Sequence, residues 1–426
     1  MQTEIFQTSN PDQFKTQALL WAANFDSACY FDSNNYSDPY SAFDVCIAAG
    51  VISEISANAG NAFDQLFNFR KNNPGFVLGF FSYDLKNETE NLVSENPDYL
   101  GFPDLYFFVP QNRIFLKGKE VFITSLNTKK VWDEIHQQSI PSDPSANFNG
   151  KLNHRISREA YFEKIEKIRN HIQKGDLYEL NLCQEFFSEN TTINPVNTFL
   201  NLNAISPTPF AAFFKMGRRY IISATPERFL SRRKNKLISQ PIKGTAKRHA
   251  KADDDELSKK ELLSNKKELS ENVMIVDLVR NDMTRSARPG SVQVEELFGI
   301  YSFTQVHQLI STVVCEVKKG LSNVDIIRNT FPMGSMTGAP KISAMQLIEK
   351  YEESKRGIYS GALGYFSEDG SFDFNVVIRT ILYDANSGYL SFQTGSAITI
   401  DSDAGKEYEE CLLKAEAIFS VLKKEG

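Results

Sequence analysis

The strand-like runs of this sequence come in clusters. Gly75–Tyr83, Leu105–Val109, Arg113–Leu116 and Val121–Ser125 make one group, each bounded by turn residues. Leu177–Phe187, Phe210–Lys215, Tyr220–Ser223 and Lys236–Ile242 make a second, and Gly361–Phe366, Asp373–Tyr383 and Tyr389–Thr394 a third. Parallel strands need a long crossover, usually a helix, between each strand and the next. Clustered strands therefore predict an α+β fold: a large, mainly antiparallel β-sandwich core with helices packed outside.

Helices are expected at Asn10–Asn24, with Asn10 as N-cap, Pro11 at the first position and Gln13 at the third. Others are expected at Ser157–Lys174, stopped by Gly175, at Leu257–Asp282, Val324–Thr330 and Lys341–Lys350, and from Ala404 onward. Residues 139–156 are rich in Ser, Pro, Asn and Gly and lack apolar periodicity. They divide a strand-rich part, 1–138, from a second part, 157–426, as a linker or surface excursion.

Composition excludes several functions. Of the 426 residues 41% are hydrophobic and 23% charged, as in a globular protein. The net charge of -6 argues against non-specific nucleic-acid binding, which needs a basic face. No apolar run approaches the ~18 residues of a membrane span, and Met1–Asn10 is unlike a signal peptide. The five cysteines, at 29, 46, 183, 315 and 411, have no metal-ligand spacing and read as buried, reduced thiols. A cytoplasmic protein is the expectation.

Residues that could carry chemistry stand out against this background. Lys243 follows a half-buried strand within Gln240-Pro241-Ile242-Lys243-Gly244-Thr245, where Gly244 permits a sharp turn or close ligand approach. An ordinary charge at a strand end is the plainer reading. Glu268 and Glu271 share a helix face that continues through Ile275 and Leu278 toward the core. Glu407 and Glu410 repeat the spacing on the last helix, with Lys414 one turn on. Brought together, the two pairs would make an oxygen-lined site suited to Mg²⁺; separately, each is a solvated helix face. Arg379 ends an apolar strand and needs a carboxylate from the protein or a ligand. Gly395 lets backbone N–H groups approach an anion, and the loop holding Ser335 places hydroxyls and glycines before a helix. His307 lies in an apolar setting where a satisfied core histidine is the common case. These features together describe a site for a small, multiply carboxylated substrate and a divalent cation.

Several longer motifs carry a resemblance. Thr225-Pro226-Glu227-Arg228-Phe229, Pro241 to Thr245, Glu268 to Asp282, Ser335 to Lys341, Lys355 to Gly361, Ile378-Arg379-Thr380 and Glu407 to Lys414 resemble the chorismate-binding enzyme family, in order, from about Ser157 to the end. The first part resembles it more weakly, through Gly79-Phe80-Phe81-Ser82-Tyr83-Asp84-Leu85. The resemblance implies one large α+β unit with Glu271 and Glu410 as Mg²⁺ ligands and Glu268 and Glu407 in a water-mediated shell. Mg²⁺ would hold the ring carboxylate of chorismate near Lys414. Tyr359, Arg379 and the Gly395 amide would hold the enolpyruvyl carboxylate, with Ser335 and Thr245 also lining the substrate. Glu227 matches the general acid for the departing C4 hydroxyl, and His307 a histidine used by members that eliminate pyruvate.

Two positions bear on the reaction. Family members with a lysine at position 243 use it as a nucleophile at ring C2, and ammonia then enters at C4. The amine must be partly neutral, so burial is expected to depress its pKa. Glu179 stands where water-adding members have a lysine. The resemblance thus implies C4 amination of chorismate, with ammonia from a separate glutamine amidotransferase subunit, since no glutaminase motif is present. Anthranilate synthesis, isochorismate synthesis and a silent chorismate-binding subunit are the alternatives. Ser335, Ala397 and the missing Leu-Leu-Glu-Ser signature depart from the family pattern, and tryptophan regulation is not expected.

Overall fold

A computed structural model describes residues 1–141, 145–304 and 306–423. Every strand pairing in it is antiparallel. Two long strands, Val45–Ala57 and Leu105–Lys117, pair along their length with a register break between Val51 and Ser53. On one side of the break, Val45–Ala49 pairs with Ser27–Asp32, which leads through Phe210–Met216, Arg219–Thr225, Thr380–Asp384 and Tyr389–Ile398 to Glu179–Ser188. On the other, Leu105–Phe108 pairs with Val77–Phe81. That run continues through Ala362–Phe366, Phe372–Val376, Arg228–Arg233 and Lys236–Gln240 to Val306–Glu316.

The two runs pack face to face. Phe214 of the first meets Phe80, Tyr106 and Phe108 of the second edge-on, with ring centroids 5.6, 6.1 and 6.0 Å apart. Helices cover the outer faces. Phe14, Leu19 and Phe199 pack with Tyr30, Ile47 and Phe213 on one side. Ile275, Val276, Val279 and Ile327 pack with the second run on the other. The α+β sandwich expected from strand clustering is therefore present, and all five cysteines are buried and free.

Local predictions meet the structure unevenly. The helix Pro11–Ala22 starts where expected, with the Asn10 side chain accepting from the Gln13 amide at 3.2 Å. The expected helix Leu257–Asp282 is two, Ala252–Ser264 and Lys266–Thr284, because Asn265 leaves helical geometry and caps the second. Asp373–Tyr383 is likewise interrupted, its two strands ending at Val376 and restarting at Thr380, and Lys236–Ile242 divides at Pro241. Leu105–Val109 and Arg113–Leu116 fuse into one strand. Residues 142–144 of the expected linker lie outside the described residues. Around them, Asn153–His154 pairs with the strand Glu179–Ser188, and Phe148 and Leu152 pack on the core.

Candidate active site

Six elements bring the chemistry-bearing residues to one end of the sandwich: the strands Glu179–Ser188, Ile242–Lys247 and Tyr389–Ile398, the helices Lys266–Thr284 and Ala404–Val421, and the turn Gly334–Met336. Pro241 has no amide hydrogen to continue a ladder, so the chain re-enters pairing as a new strand at Ile242. Gly244 then takes φ +95°, and a Cβ there would meet Leu309 Cδ1 at 2.9 Å. The backbone is further held by Asn272, whose amide donates to the Lys243 carbonyl at 3.4 Å and whose Oδ1 accepts from the Ser311 hydroxyl at 2.7 Å.

Lys243 is aimed inward: its Nζ donates to Glu179 Oε1 at 3.0 Å, and Glu179 is 1% exposed. The second carboxylate oxygen of Glu179 is buried without a partner. The sequence expectation of a depressed lysine pKa is corrected here. Burial does act to lower it, but Glu179, Glu271 and Glu410 outweigh burial and raise it, keeping the ammonium charged in the metal-free protein.

Glu227 behaves in the opposite way. Burial dominates, and despite the Ser335 hydroxyl, Lys243, the Ile242 amide and Lys414, its pKa is raised from 4.5 to about 7. A carboxyl so placed carries its proton near neutrality, as a general acid must. Ser335, on the turn Gly334–Met336, is thereby part of the site.

The carboxylate pairs do approach, though with a lysine between them. Lys267 Nζ donates to Glu407 Oε1 at 2.9 Å and lies 3.7 Å from Glu271 Oε1. Burial, partly offset by Lys243, raises the Glu271 pKa to about 7. Burial and then Glu410 raise that of Glu268. Burial also acts upward on Glu410, but Lys414 leads a group of lysines that lowers it, with Lys414 Nζ 2.7 Å from Glu410 Oε1. Glu271 Oε1 and Glu407 Oε2 are buried without hydrogen-bond partners. Among the described residues no three His, Cys, Asp or Glu side chains are gathered as a metal cluster. The donor chemistry still fits a hard cation, because Glu271 on one helix and Glu407 on another each keep a buried carboxylate oxygen without a hydrogen bond, and Mg²⁺ takes only one or two carboxylates directly.

The anion-binding candidates differ in how free they are. Arg379 stands at the strand break with φ +50° and forms no ion pair among the described residues. Burial lowers its pKa, opposed by Glu227. It is thus an unspent guanidinium close to the proton donor. Tyr359 is buried, with its hydroxyl 3.6 Å from Cys183 Sγ. Lys414 donates to the Gly395 carbonyl at 2.9 Å. Gly395 has a packing reason of its own, since a Cβ would lie 2.5 Å from Cys183 Sγ and 2.6 Å from the Leu182 carbonyl. Thr245 is exposed on its strand and apart from these contacts. Lys341, beside the anion loop, is spent on Asp282 at 2.6 Å.

His307 is fully buried and satisfied, with Nε2 3.0 Å from Asp255 Oδ1 and Nδ1 2.8 Å from Ser302 Oγ. It ties the strand Val306–Glu316 to the helix Ala252–Ser264. Its neighbour Gln308 instead keeps a buried Oε1 without a partner.

Sequence reasoning overlooked Lys267, Asn272 and Arg228. Arg228 is buried against Asp38, Asp373 and Gln240, and lines both a cavity beside Glu227 and Ser335 and another beside Asp32 and Tyr36. Its signal was its place directly after Glu227, at the first position of the strand Arg228–Arg233.

The family profile described as chorismate binding enzyme matches residues 18–420. The aminodeoxychorismate synthase component 1 of Klebsiella aerogenes is 34% identical over 354 residues, covering 82% of this chain and 77% of that protein. The anthranilate synthase component 1 of Thermus thermophilus is 32% identical over 361 residues, covering 82% and 78%. Among solved structures, anthranilate synthase component I from Streptococcus pneumoniae TIGR4 superposes with a TM-score of 0.77 at 27% identity, covering 91% of this chain and 93% of that one. On this match, which spans most of its length, the chain belongs to the chorismate binding enzyme family.

Proposed function

We propose that this enzyme is the synthase component that aminates chorismate at C4, giving 4-amino-4-deoxychorismate, through a covalent intermediate on Lys243. The observation that carries the reading is the Lys243 side chain, held by Glu179 at 3.0 Å between the carboxylate helices and the buried acid Glu227. Similarity to the Klebsiella protein supports it, while the Thermus protein is nearly as similar, so the residues must decide.

Glu179 Oε1 is within reach to take the Lys243 proton, leaving a neutral amine. The amine nitrogen forms a bond to ring C2, both ring double bonds shift (C1=C2 to C1=C6 and C5=C6 to C4=C5), and the C4–O bond breaks as Glu227 delivers its proton, releasing water. Ammonia then bonds to C4, both double bonds return to their original places, and the C2–N bond to Lys243 breaks. Arg379, the unspent guanidinium, would pair with a substrate carboxylate, and the Tyr359 hydroxyl would assist. Glu271 and Glu410 would hold Mg²⁺, flanked by Glu268 and Glu407. Bound there, it would supply positive charge for the ring carboxylate and neutralise two of the three carboxylates that keep Lys243 charged.

Ammonia would come from a separate glutamine amidotransferase subunit or from ammonium in solution. Incubation with chorismate and Mg²⁺ without ammonia tests the covalent step. Peptide mapping by mass spectrometry should find a chorismate-derived adduct on the Lys243 peptide, lost on adding ammonium. An unmodified lysine throughout turnover would remove the mechanism.

A further inference from the structure

Lys267 lies in the first turn of the helix Lys266–Thr284, four residues before Glu271 and on the same face. Its ammonium spans two helices, bonding Glu407 Oε1 at 2.9 Å and approaching Glu271 Oε1 to 3.7 Å. The other two lysines of the site are engaged differently. Lys243 bonds Glu179, and Lys414 bonds both Glu410 and the Gly395 carbonyl. Of these three, only Lys267 reaches carboxylates of the magnesium set on both helices.

Its service to them is incomplete. Glu271 Oε1 and Glu407 Oε2 remain buried without a hydrogen bond. One ammonium carries a single positive charge against two carboxylates, and without it Glu407 would lose its hydrogen-bonded cation and Glu271 one of the two lysines that act on it. The Lys267 side chain is itself 39% exposed, so its flexible stem can move to solvent without crossing packed core.

We propose that Lys267 is a resident counter-cation: in the metal-free protein its ammonium links Glu407 to Glu271, and a divalent ion enters only as this side chain swings out. The inference rests on the magnesium reading above. Lys267 then competes with the metal and weakens its binding, while keeping the metal-free site from flying apart. A single positive charge exchanged for a double one also favours entry together with the anionic substrate.

Full-length protein stripped of metal is titrated with Mn²⁺ alone, free Mn²⁺ being read by electron paramagnetic resonance, alongside thermal unfolding in a chelator. Lys267→Met, which keeps the stem and removes the charge, should bind Mn²⁺ about tenfold tighter than the parent. It should also melt lower without metal, with the gap closing at saturating Mn²⁺. Lys267→Arg should bind no tighter than the parent. Mn²⁺ affinity in Lys267→Met that is unchanged, weaker or undetectable overturns the proposal. Glu271→Gln separates the two claims. If it loses Mn²⁺ while Lys267→Met matches the parent, the metal site stands and the counter-cation role falls; if it binds Mn²⁺ like the parent, the magnesium reading fails as well.

Discussion

Two side chains in one small space are driven in opposite directions by their surroundings. Burial favours the protonated form of Glu227 and carboxylates hold Lys243 charged, so on the proposed mechanism the acid is ready and the nucleophile waits for its neighbours to be neutralised. Lys243→Ala should therefore abolish amination while leaving chorismate affinity within a few-fold, since in the proposed mechanism the lysine makes a bond rather than clamps a carboxylate. Isothermal titration beside a turnover assay checks both; retained turnover would contradict the role. Glu227→Gln should lower kcat by about 10²-fold or more. In the parent the rate should fall as pH rises through about 7, where the acid loses its proton. The same shift affects stability. Because the folded-state pKa of about 7 exceeds the ordinary 4.5, the contribution is full below pH 4.5 and is lost as pH rises to 7. It is worth about 3 kcal/mol in the metal-free protein. Urea midpoints across this range should show a shallower decline in Glu227→Gln than in the parent.

Much at this scale was legible because the informative residues are close in sequence. Lys243 between Pro241 and Gly244, and glutamates three apart on a helix, can be read without knowing the fold. The lysine pKa could not, since Glu179, Glu271 and Glu410 come from three other elements. His307 likewise looked ambiguous because Asp255, which satisfies it, lies 52 residues away.

At the level of elements, the site depends on where helices and strands break. Asn265 interrupts what periodicity suggested was one helix, and its side chain caps the second by accepting from the Lys267 amide at 3.0 Å and the Glu268 amide at 3.4 Å. The cap sets the start of the helix that carries Lys267, Glu268 and Glu271. The strand break at Val377–Arg379 was equally hidden, as nothing in Val-Val-Ile-Arg announces a positive φ. Asn272 joins that helix to the Lys243 backbone and to Ser311. Asn272→Ala would leave the Lys243 carbonyl and the Ser311 hydroxyl short of a partner, at a cost of about 1–3 kcal/mol. Its expected signature is a lower melting temperature together with a fall in kcat exceeding the change in KM; a purely stability-related loss would argue against a positioning role.

Considered as a whole, the molecule shares its sheets between the two sequence parts. Val77–Phe81 pairs with Ala362–Phe366, and Ser27–Asp32 with Phe210–Met216. The motif Gly79 to Leu85 reaches the site scaffold directly: the Asp84 carboxylate accepts from the Gly357 amide at 3.0 Å, and Arg356 stacks on Tyr83. That is why a weakly patterned first part nevertheless carries a family motif. Strand clustering foretold antiparallel sheets, whereas the pairing of strands hundreds of residues apart lies beyond any local pattern. Residues 1–138 expressed alone should lack a cooperative unfolding transition, because their strands lose partners in the second part; a sharp transition would show an independent domain. Phe214→Ala, which removes the ring between the sheets, should cost about 3–5 kcal/mol and lower the melting point without shifting the pH profile.

The reaction proposed for the lysine-bearing site is amination of chorismate at C4. Its most direct test is product identification by mass spectrometry after incubating the purified chain with chorismate, Mg²⁺ and ammonium, with and without an aminodeoxychorismate lyase. Amination at C4 should give p-aminobenzoate only when the lyase is present. Anthranilate, isochorismate or unchanged chorismate would contradict it.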